Sequence, residues 1–175
     1  MTCDSCIRLV ESELATLGIK IFSLKLGEVK ILKNENKTII QTALQKHGFD
    51  IIEGYEELIV ENIRLAVIEL VSMTQDIENM HFTKYLEKKV ERPYKYLSKI
   101  FSKHRKTTIE HFLILNKVEK AKEFIQYGQL TFSEIAYALG YANPQHLSAQ
   151  FKKNANCTMK EFKENHLRRV SLSKI

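Results

Sequence analysis

Two cysteines near the amino terminus are the residues most capable of chemistry. Cys3 and Cys6 are separated by two residues and stand at the start of a helical pattern that ends at Gly18. A helix N-terminus lowers the pKa of a thiol, and thiolates are soft ligands that prefer Cu(I), or Zn(II) when further ligands are present. The spacing therefore makes Cys3 and Cys6 candidate metal ligands. A pair of ordinary cysteines, or the remnant of a metal site, is the alternative.

The rest of the chain offers no catalytic set. The six glycines form neither a phosphate-binding loop nor a dinucleotide fingerprint. The six histidines show no metal-ligand spacing, and Cys157 is predicted to pack in a core. We therefore expect a protein that is not an enzyme. Three cysteines make no even disulfide framework, which fits a reducing cytoplasm.

The charges are divided unevenly along the chain. Residues 1–79 contain 8 Lys/Arg and 13 Asp/Glu, a net charge of −5, whereas residues 80–175 contain 19 and 8, a net charge of +11. This division predicts two modules, of which the second faces a polyanion. A solubilising surface is the alternative. The sequence has no apolar run of membrane-spanning length and no secretory signal pattern, so we expect a cytoplasmic protein without a membrane partner.

The basic half contains one pattern twice, fifty residues apart. The recurring residues are Phe82, Leu97, Ser98, Phe101, Thr108 and Phe112, which return as Phe132, Leu147, Ser148, Phe151, Thr158 and Phe162. A repeat of this length indicates one supersecondary unit that is used twice.

The first copy predicts two helices and the start of a third. One helix is expected from Phe82 to about Val90, and the next from Pro93, at its first position, to about Ser102. Thr107-x-x-Glu110 is predicted to be a capping box that begins a long helix. That helix is expected to end near Tyr127, with Gly128 as its left-handed cap.

The second copy predicts the same arrangement. A capping box at Thr131-x-x-Glu134 begins a helix over Phe132–Leu139. Asn143 and Pro144 are expected to be the N-cap and first residue of the following helix. A third capping box, Thr158-x-x-Glu161, is predicted to begin the last helix.

Each copy is therefore predicted to be a helix-turn-helix, a motif whose second helix enters the major groove of DNA. The candidate DNA-binding residues are polar or basic and lie on or beside the second helices: Tyr94, Lys95, Ser98, Lys99, Asn143, Gln145, His146, Ser148, Gln150, Lys152 and Lys153. The first set suits phosphate, and Gln, His and Ser of the second set suit base edges.

The connecting helix sets the distance between the two copies. About 20 residues span roughly 30 Å, which is close to the roughly 34 Å of one turn of B-DNA. Two such units could read successive major-groove faces without dimerisation. A tandem helical repeat that binds protein is the alternative, but such solenoids usually need three or more copies.

Several short stretches of the second copy resemble the C-terminal signature of AraC/XylS-type transcription regulators. They are Glu134-Ile135-Ala136, Gly140-Tyr141, His146-Leu147-Ser148 and Phe151-Lys152-Lys153. The resemblance covers roughly residues 80–167. It implies a seven-helix, double helix-turn-helix DNA-binding domain with recognition helices at about 93–102 and 143–154. The family often has Gly and Thr-Pro where this chain has Asn156 and Thr158-Met159, and Asn tolerates a left-handed turn.

The acidic half predicts a small α+β module. After the first helix, strands are expected at Ile19–Leu26 and Glu28–Leu32, a helix at Lys37–His47, and a short strand at Phe49–Ile52. With its Met-x-Cys-x-x-Cys start and His47-Gly48-Phe49 loop, this module resembles a heavy-metal-associated domain of the ferredoxin-like type. The first strand of that fold, which is central to its sheet, is missing. Either the native start lies upstream of Met1, or the region pairs differently, for example with another subunit.

A helix over Glu57–Met73 is predicted between the halves, and it is apolar around most of its circumference. Such a helix is either buried or shared with a partner. It is therefore interpreted as a linker helix that also mediates homodimerisation, or as one that is buried against the N-terminal module.

The sequence as a whole predicts a mainly α protein in three parts. Residues 1–54 form the ferredoxin-like module that lacks its first strand, residues 55–79 the linker helix, and residues 80–175 the double helix-turn-helix domain. The predicted function is that of a sequence-specific, DNA-binding transcriptional regulator. A carrier or sensor of Cu(I) or another soft metal is the alternative.

Overall fold

The computed structural model describes residues 4–25, 27–32, 36–73 and 81–165. These residues are mainly helical. They divide into two compact units, one within Met1–Leu65 and one within Ala66–Ile175. Among the described helices, none combines the length and the apolar character that crossing a membrane requires.

The N-terminal unit is built on a short antiparallel ribbon. Helix α1 (Asp4–Thr16) precedes strands β1 (Ile21–Lys25) and β2 (Glu28–Ile31), and helices α2 (Lys37–Gln45) and α3 (Tyr55–Ser72) follow. The strands pair with Ser23 opposite Lys30 and Lys25 opposite Glu28, and the register is irregular between Ile21 and Ser23. The apolar faces of α1 and α2 meet over the ribbon in one cluster, which contains Val10, Leu14, Ile19, Ile40 and Leu44.

The predicted strand at Phe49–Ile52 is wrong. Residues 49–54 form neither helix nor strand, because the segment has no neighbouring strand to pair with among the described residues. The Phe49 N–H instead donates to the Leu44 carbonyl at 3.1 Å, and the Ile51 N–H donates to the Asp50 carboxylate at 2.8 Å. The first two predicted strands are confirmed as β1 and β2, although Leu26 lies outside the described residues. The helix predicted over Lys37–His47 ends at Gln45.

Helix α3 corresponds to the predicted linker helix, and its apolar side chains are largely buried within the single chain. The buried residues are Ile59, Val60, Ile63, Ala66, Val67, Ile68, Leu70 and Val71. The second compact unit begins inside this helix rather than near residue 80, and Val71 belongs to the core of that unit. Burial thus explains the composition of α3 without a second chain, and homodimerisation through it stays a prediction.

Six further helices lie within the described residues of the C-terminal unit. They are α4 (Phe82–Val90), α5 (Tyr94–Arg105), α6 (Ile109–Tyr127), α7 (Phe132–Ala138), α8 (Pro144–Ala155) and α9 (Met159–Glu164). Helix α4 contacts α5, α7 contacts α8, and α6 contacts α5, α7, α8 and α9. The AraC/XylS resemblance implied seven helices within about residues 80–167, whereas the described residues 81–165 contain six. A seventh is counted only if the second half of α3, which was predicted as a separate linker, is included.

The fifty-residue repeat is a repeat of core contacts. Leu97 and Leu147 are both fully buried. The ring of Phe101 packs against Phe112 with centroids 5.5 Å apart, and Phe151 packs against Phe162 at 5.7 Å. Equivalent aromatic pairs therefore join each second helix to the helix that follows it, which confirms the repeat as one unit used twice.

Most of the predicted helix caps are confirmed. Capping boxes are present at Thr131 and Glu134 and at Thr158 and Glu161, and Asn143 caps α8 with Pro144 at its start. Gly128 ends α6 in a left-handed conformation.

Two predicted caps are wrong by one position. The N-cap of α6 is Thr108 rather than Thr107, and its hydroxyl accepts a hydrogen bond from the His111 N–H at 3.1 Å. Thr108 is the repeat equivalent of Thr158, so both caps occupy the same place in the unit. Pro93 is the extended N-cap of α5 rather than its first helical residue, because its ψ is 139°.

The turn after each second helix uses a left-handed residue. Asn156 has φ of 56°, as the Asn was expected to allow, and its repeat equivalent Lys106 has φ of 53°. Asn adopts this conformation more readily than Lys does. The same backbone reversal therefore brings both aromatic pairs together despite different residues at the turn.

Truncation of the aromatic pairs should destabilise the C-terminal unit. We expect Phe101→Ala and Phe151→Ala each to lower the free energy of unfolding by about 3–5 kcal/mol, because each leaves a cavity in a fully buried site. Urea titration followed by circular dichroism measures this loss. Phe22→Ala is the matched control, since Phe22 is 71% exposed, and it should change stability by less than about 0.5 kcal/mol. Losses below about 1 kcal/mol at both core positions would contradict the view that the repeated aromatic pairs stabilise the C-terminal unit.

Candidate nucleic-acid interface

Helix α8 presents a polar surface beside a fixed N-terminus. Leu147 and Phe151 face the core, and the exposed residues are Gln145, His146, Ser148, Ala149, Lys152 and Lys153. The side-chain oxygen of Asn143 accepts from the Gln145 N–H at 2.8 Å, which fixes the first turn of the helix. The Tyr141 N–H donates to the Ala136 carbonyl at 3.0 Å and tightens the turn after α7.

Three of the predicted DNA-binding residues in this copy make hydrogen bonds within the protein. The Ser148 hydroxyl donates to the Pro144 carbonyl at 3.1 Å. Asn143 caps α8 through its side chain. The side-chain oxygen of Gln150 accepts a hydrogen bond from the Tyr141 hydroxyl at 2.6 Å. Tyr141 is buried, and burial raises the pKa of its hydroxyl above the ordinary value, so it stays a donor. Gln145 and His146 are thus the exposed polar residues closest to the helix N-terminus.

The basic residues of α8 lie further along the helix. Lys152 and Lys153 are exposed in its last turn. Nearby, the Thr158 N–H and hydroxyl lower the pKa of the Glu161 carboxyl, and the charge of Lys152 contributes a smaller part of the shift. The cations are therefore presented to solvent, while the neighbouring carboxylate is held by its capping box. This arrangement suits contact with an anionic surface.

Tyr94, a predicted DNA-binding residue of the first copy, makes several contacts within the protein. Its hydroxyl donates to the Glu110 carboxylate at 2.5 Å, and its backbone N–H donates to the Glu87 carboxylate at 2.7 Å. Its ring meets Phe82 edge-on with centroids 6.3 Å apart. Partial burial, and then Glu110, raise the pKa of Tyr94, whereas the hydroxyl of Tyr94 lowers the pKa of Glu110. Tyr94 thus connects α5 with α4 and α6.

The exposed surface of α5 is basic. Lys95 and Lys99 are exposed, and Ser98 is half-buried. Tyr96 was missed by the sequence reasoning, although it lies next to Lys95 and is 36% exposed. The repeat could have identified it, because Tyr96 is the equivalent of His146 fifty residues later. The two recognition helices therefore present an aromatic ring at the same place.

Helix α6 links the two copies and is held by polar contacts. Its 19 residues span roughly 28 Å. Glu119 and Lys122 form a buried ion pair at 2.5 Å. The Lys117 ammonium lies 4.7 Å from the centroid of the Tyr141 ring, and burial lowers the pKa of this lysine. Tyr141 thereby joins α6 to Gln150 on α8, so the second recognition helix is oriented by the connecting helix.

The predicted metal site is only partly within the described residues. Cys3 lies outside them, and Cys6 is half-buried in the first turn of α1. No group of three or more His, Cys, Asp or Glu side chains suited to a metal is found in the ranges that the structure describes. A thiol at a helix N-terminus fits the soft-metal chemistry. Binding of Cu(I) or Zn(II) at Cys3 and Cys6 stays a prediction.

The C-terminal part of the chain is similar to known proteins. Residues 86–165 match a family described as a helix-turn-helix domain. This range contains the whole of α5 to α9, and it agrees with the AraC/XylS resemblance of residues 80–167. No curated protein sequence is significantly similar to the chain.

Two solved structures have a similar fold. One is the C-terminal domain of AraT, a response regulator from Geobacillus stearothermophilus, with a TM-score of 0.53 and 22% identity over 65% of this chain and 88% of that one. The other is a DNA-binding transcriptional dual regulator from Escherichia coli K-12, with a TM-score of 0.52 and 14% identity over 67% of this chain and 96% of that one. At these identities the likeness is one of fold.

The contacts of Tyr94 predict a role in stability rather than in binding. Tyr94→Phe should lower the free energy of unfolding by about 1 kcal/mol, since it removes one partly exposed hydrogen bond to a carboxylate. Affinity for DNA should stay within about twofold of the wild-type value, a difference of well under 1 kcal/mol. Urea titration and fluorescence anisotropy measure the two effects. Tyr127→Phe is a control at an exposed tyrosine. A large loss of affinity with unchanged stability would return Tyr94 to the DNA-binding set.

Proposed function

We propose that this chain is a sequence-specific DNA-binding transcriptional regulator of the AraC/XylS type. One observation carries the proposal: two helix-turn-helix units with the same core are joined by one connecting helix, and their second helices expose polar and basic side chains. The net charge of +11 over residues 80–175 supports a polyanionic ligand. The match of residues 86–165 to a helix-turn-helix domain supports the same function.

In the proposed complex, α8 enters the major groove with its N-terminal end directed at the bases. Gln145 has the amide geometry that pairs with the N6 and N7 edge of adenine, and His146 offers a second hydrogen-bonding group. Lys152 and Lys153 bind phosphates and set the position of the helix on the duplex. The internal hydrogen bond of Gln150 supports a role in orienting α8.

The first copy makes mainly phosphate contacts in this proposal. Lys95 and Lys99 are exposed on α5, and flexible ammonium groups bind phosphate as point charges. Because α6 spans roughly 28 Å, the two second helices are suited to successive major-groove faces on one side of the DNA. One chain would then read two segments.

The proposal also gives the N-terminal unit a role in sensing or assembly. The helix, ribbon and helix order of α1, β1, β2 and α2 supports a heavy-metal-associated type of module that senses or assembles. Cu(I) or Zn(II) at Cys3 and Cys6 would be its signal, and a homodimer through α3 its assembly. A metal carrier without DNA binding has no supporting observation among the described residues.

Substitutions on α8 should separate base reading from phosphate binding. Gln145→Ala and His146→Ala should change the preferred sequence at one or two positions, with a loss of about 1–3 kcal/mol on the selected duplex alone. Lys152→Ala and Lys153→Ala should weaken binding to all duplexes and reduce the slope of log K against log salt by about 1 each. Fluorescence anisotropy over a salt series, with selected and random duplexes, measures both effects.

Lys46→Ala is the matched control, because Lys46 is an exposed lysine of the N-terminal unit. It should leave affinity and salt slope unchanged. If Gln145→Ala and His146→Ala weakened binding to all sequences alike, the assignment of the base-reading residues would be wrong. An absence of DNA binding at low salt would overturn the proposed function.

The fixed length of α6 predicts a strict spacing in the DNA. Inserting about five base pairs between the two recognised segments rotates them to opposite faces, since one turn has about 10 base pairs. Binding should fall to the affinity for random DNA. Inserting a full turn restores the face but adds roughly 34 Å, which α6 cannot span, so high affinity should not return. Recovery with the full-turn insertion would indicate a flexible connection or two separate chains.

A further inference from the structure

The N-terminal unit contains an apolar cavity of about 710 Å³ that is lined by both β2 and residues 48–52. Its walls also come from α1 and α2, and the apolar lining includes Val10, Leu14, Val29, Ile31, Ile40 and Ile51. Three further lining residues, Leu32, Ile52 and Leu58, are 49%, 43% and 45% exposed. A concave site that is lined mainly by apolar side chains, with a few polar groups among them, is the usual form of a ligand site.

The backbone bordering this cavity has unused hydrogen-bonding capacity. In the described ranges, β2 pairs only with β1, so its second edge has no strand beside it. The backbone N–H groups of Asp50, Ile52 and Glu53 donate to no backbone carbonyl of the described residues. Backbone groups on two sides of an apolar cavity require partners once water is excluded. A strand supplies such partners in a regular row.

The border opposite β2 is held in position by α2. The Asp50 carboxylate accepts hydrogen bonds from the side-chain amides of Gln41 at 2.8 Å and Gln45 at 3.3 Å. The hydrogen bond from Gln41, followed by that from the Ile51 N–H, lowers the pKa of Asp50, so its carboxylate remains charged. Because residues 50 and 51 are held in place before any ligand binds, binding costs less conformational entropy.

We propose that this cavity binds an extended peptide strand of a partner protein, which adds to the free edge of β2. Such a strand would place apolar side chains at alternate positions in the cavity and hydrogen-bond through its backbone. About four to six residues suffice, given the four residues of β2.

The charges of the lining favour a basic residue at the end of the partner strand. Glu28, Asp50 and Glu61 supply three carboxylates, against the cations of Lys37 and Arg64. Three ion pairs compensate most of these charges: Glu28 pairs with Lys30 at 3.3 Å, and Lys37 with Glu53 and Arg64 with Glu61, both at 2.5 Å. Asp50 is the lining carboxylate for which the described residues supply no cation. The partners of Asp50 are neutral amides. A lysine-flanked strand therefore complements the site better than an acidic one.

The test uses the full chain and a labelled peptide in which valine alternates with threonine and lysine stands at both ends. Fluorescence anisotropy measures its binding, and hydrogen exchange locates the site. We expect saturable binding, with slower exchange of the backbone amides of residues 28–32 and 50–53. The same peptide with alternate backbone nitrogens methylated keeps its apolar side chains but loses its donors, and it should not bind.

Two protein variants complete the design. Ile52→Ser combined with Leu58→Ser removes two exposed apolar side chains and should raise the Kd by about tenfold or more. Phe22→Ser is the matched control, because Phe22 is exposed on β1 and does not line the cavity. It should leave the Kd unchanged.

Three results would overturn the proposal. Equal binding of the methylated peptide would indicate a site for apolar small molecules, and a lack of saturable binding would indicate no peptide site. Protection of the same amides in a dimer without peptide would indicate a second copy as the occupant. Affinity for DNA, measured on the same preparations, should be retained in all variants, so failure here leaves the proposed regulator function standing.

Discussion

The packing of each second helix through one buried aromatic pair is the interaction on which the C-terminal unit depends. Phe101 against Phe112 and Phe151 against Phe162 fix the second helices to the helices that follow them. The net charge of +11 over residues 80–175 opposes a compact state, because like charges repel one another. The buried phenylalanines and leucines offset this repulsion, because apolar burial does not weaken as charge accumulates. The basic surface can therefore be presented on a short, ordered unit.

The two copies share this core and differ in what surrounds it. In the first copy, Tyr94 binds Glu110 and joins three helices, which leaves Lys95, Tyr96 and Lys99 on the outer face. In the second copy, Tyr141 links Lys117 of α6 to Gln150 of α8, which leaves Gln145 and His146 at the helix N-terminus. Each unit thus uses one tyrosine to hold its recognition helix. The remaining side chains divide the proposed work between phosphate contact and base reading.

Local sequence signals predicted most of the C-terminal unit, because its caps and turns are decided within a few residues. Asn143, Pro144 and the two capping boxes lie where their chemistry requires. Thr107 was predicted because Glu110 lies three residues after it, which is the spacing of a capping box, but the structure uses the adjacent Thr108. The repeat distinguishes the two threonines, because Thr108 and not Thr107 matches Thr158. The same comparison of the two copies would have identified Tyr96, which matches His146. Gln150 was placed on the exposed face because its hydrogen bond to Tyr141 depends on tertiary packing.

The N-terminal unit was harder to predict, since a strand depends on a neighbour that the local sequence does not specify. Phe49–Ile52 has the composition of a strand but borders a cavity instead.

The central claim is that two linked helix-turn-helix units of one chain read the DNA. Methylation interference at guanine N7, which lies in the major groove, tests this claim most directly. Two clusters of interference about one helical turn apart, on one face of a duplex bound by a single chain, are expected. A single cluster, or two clusters that require two chains, would contradict reading by two linked units.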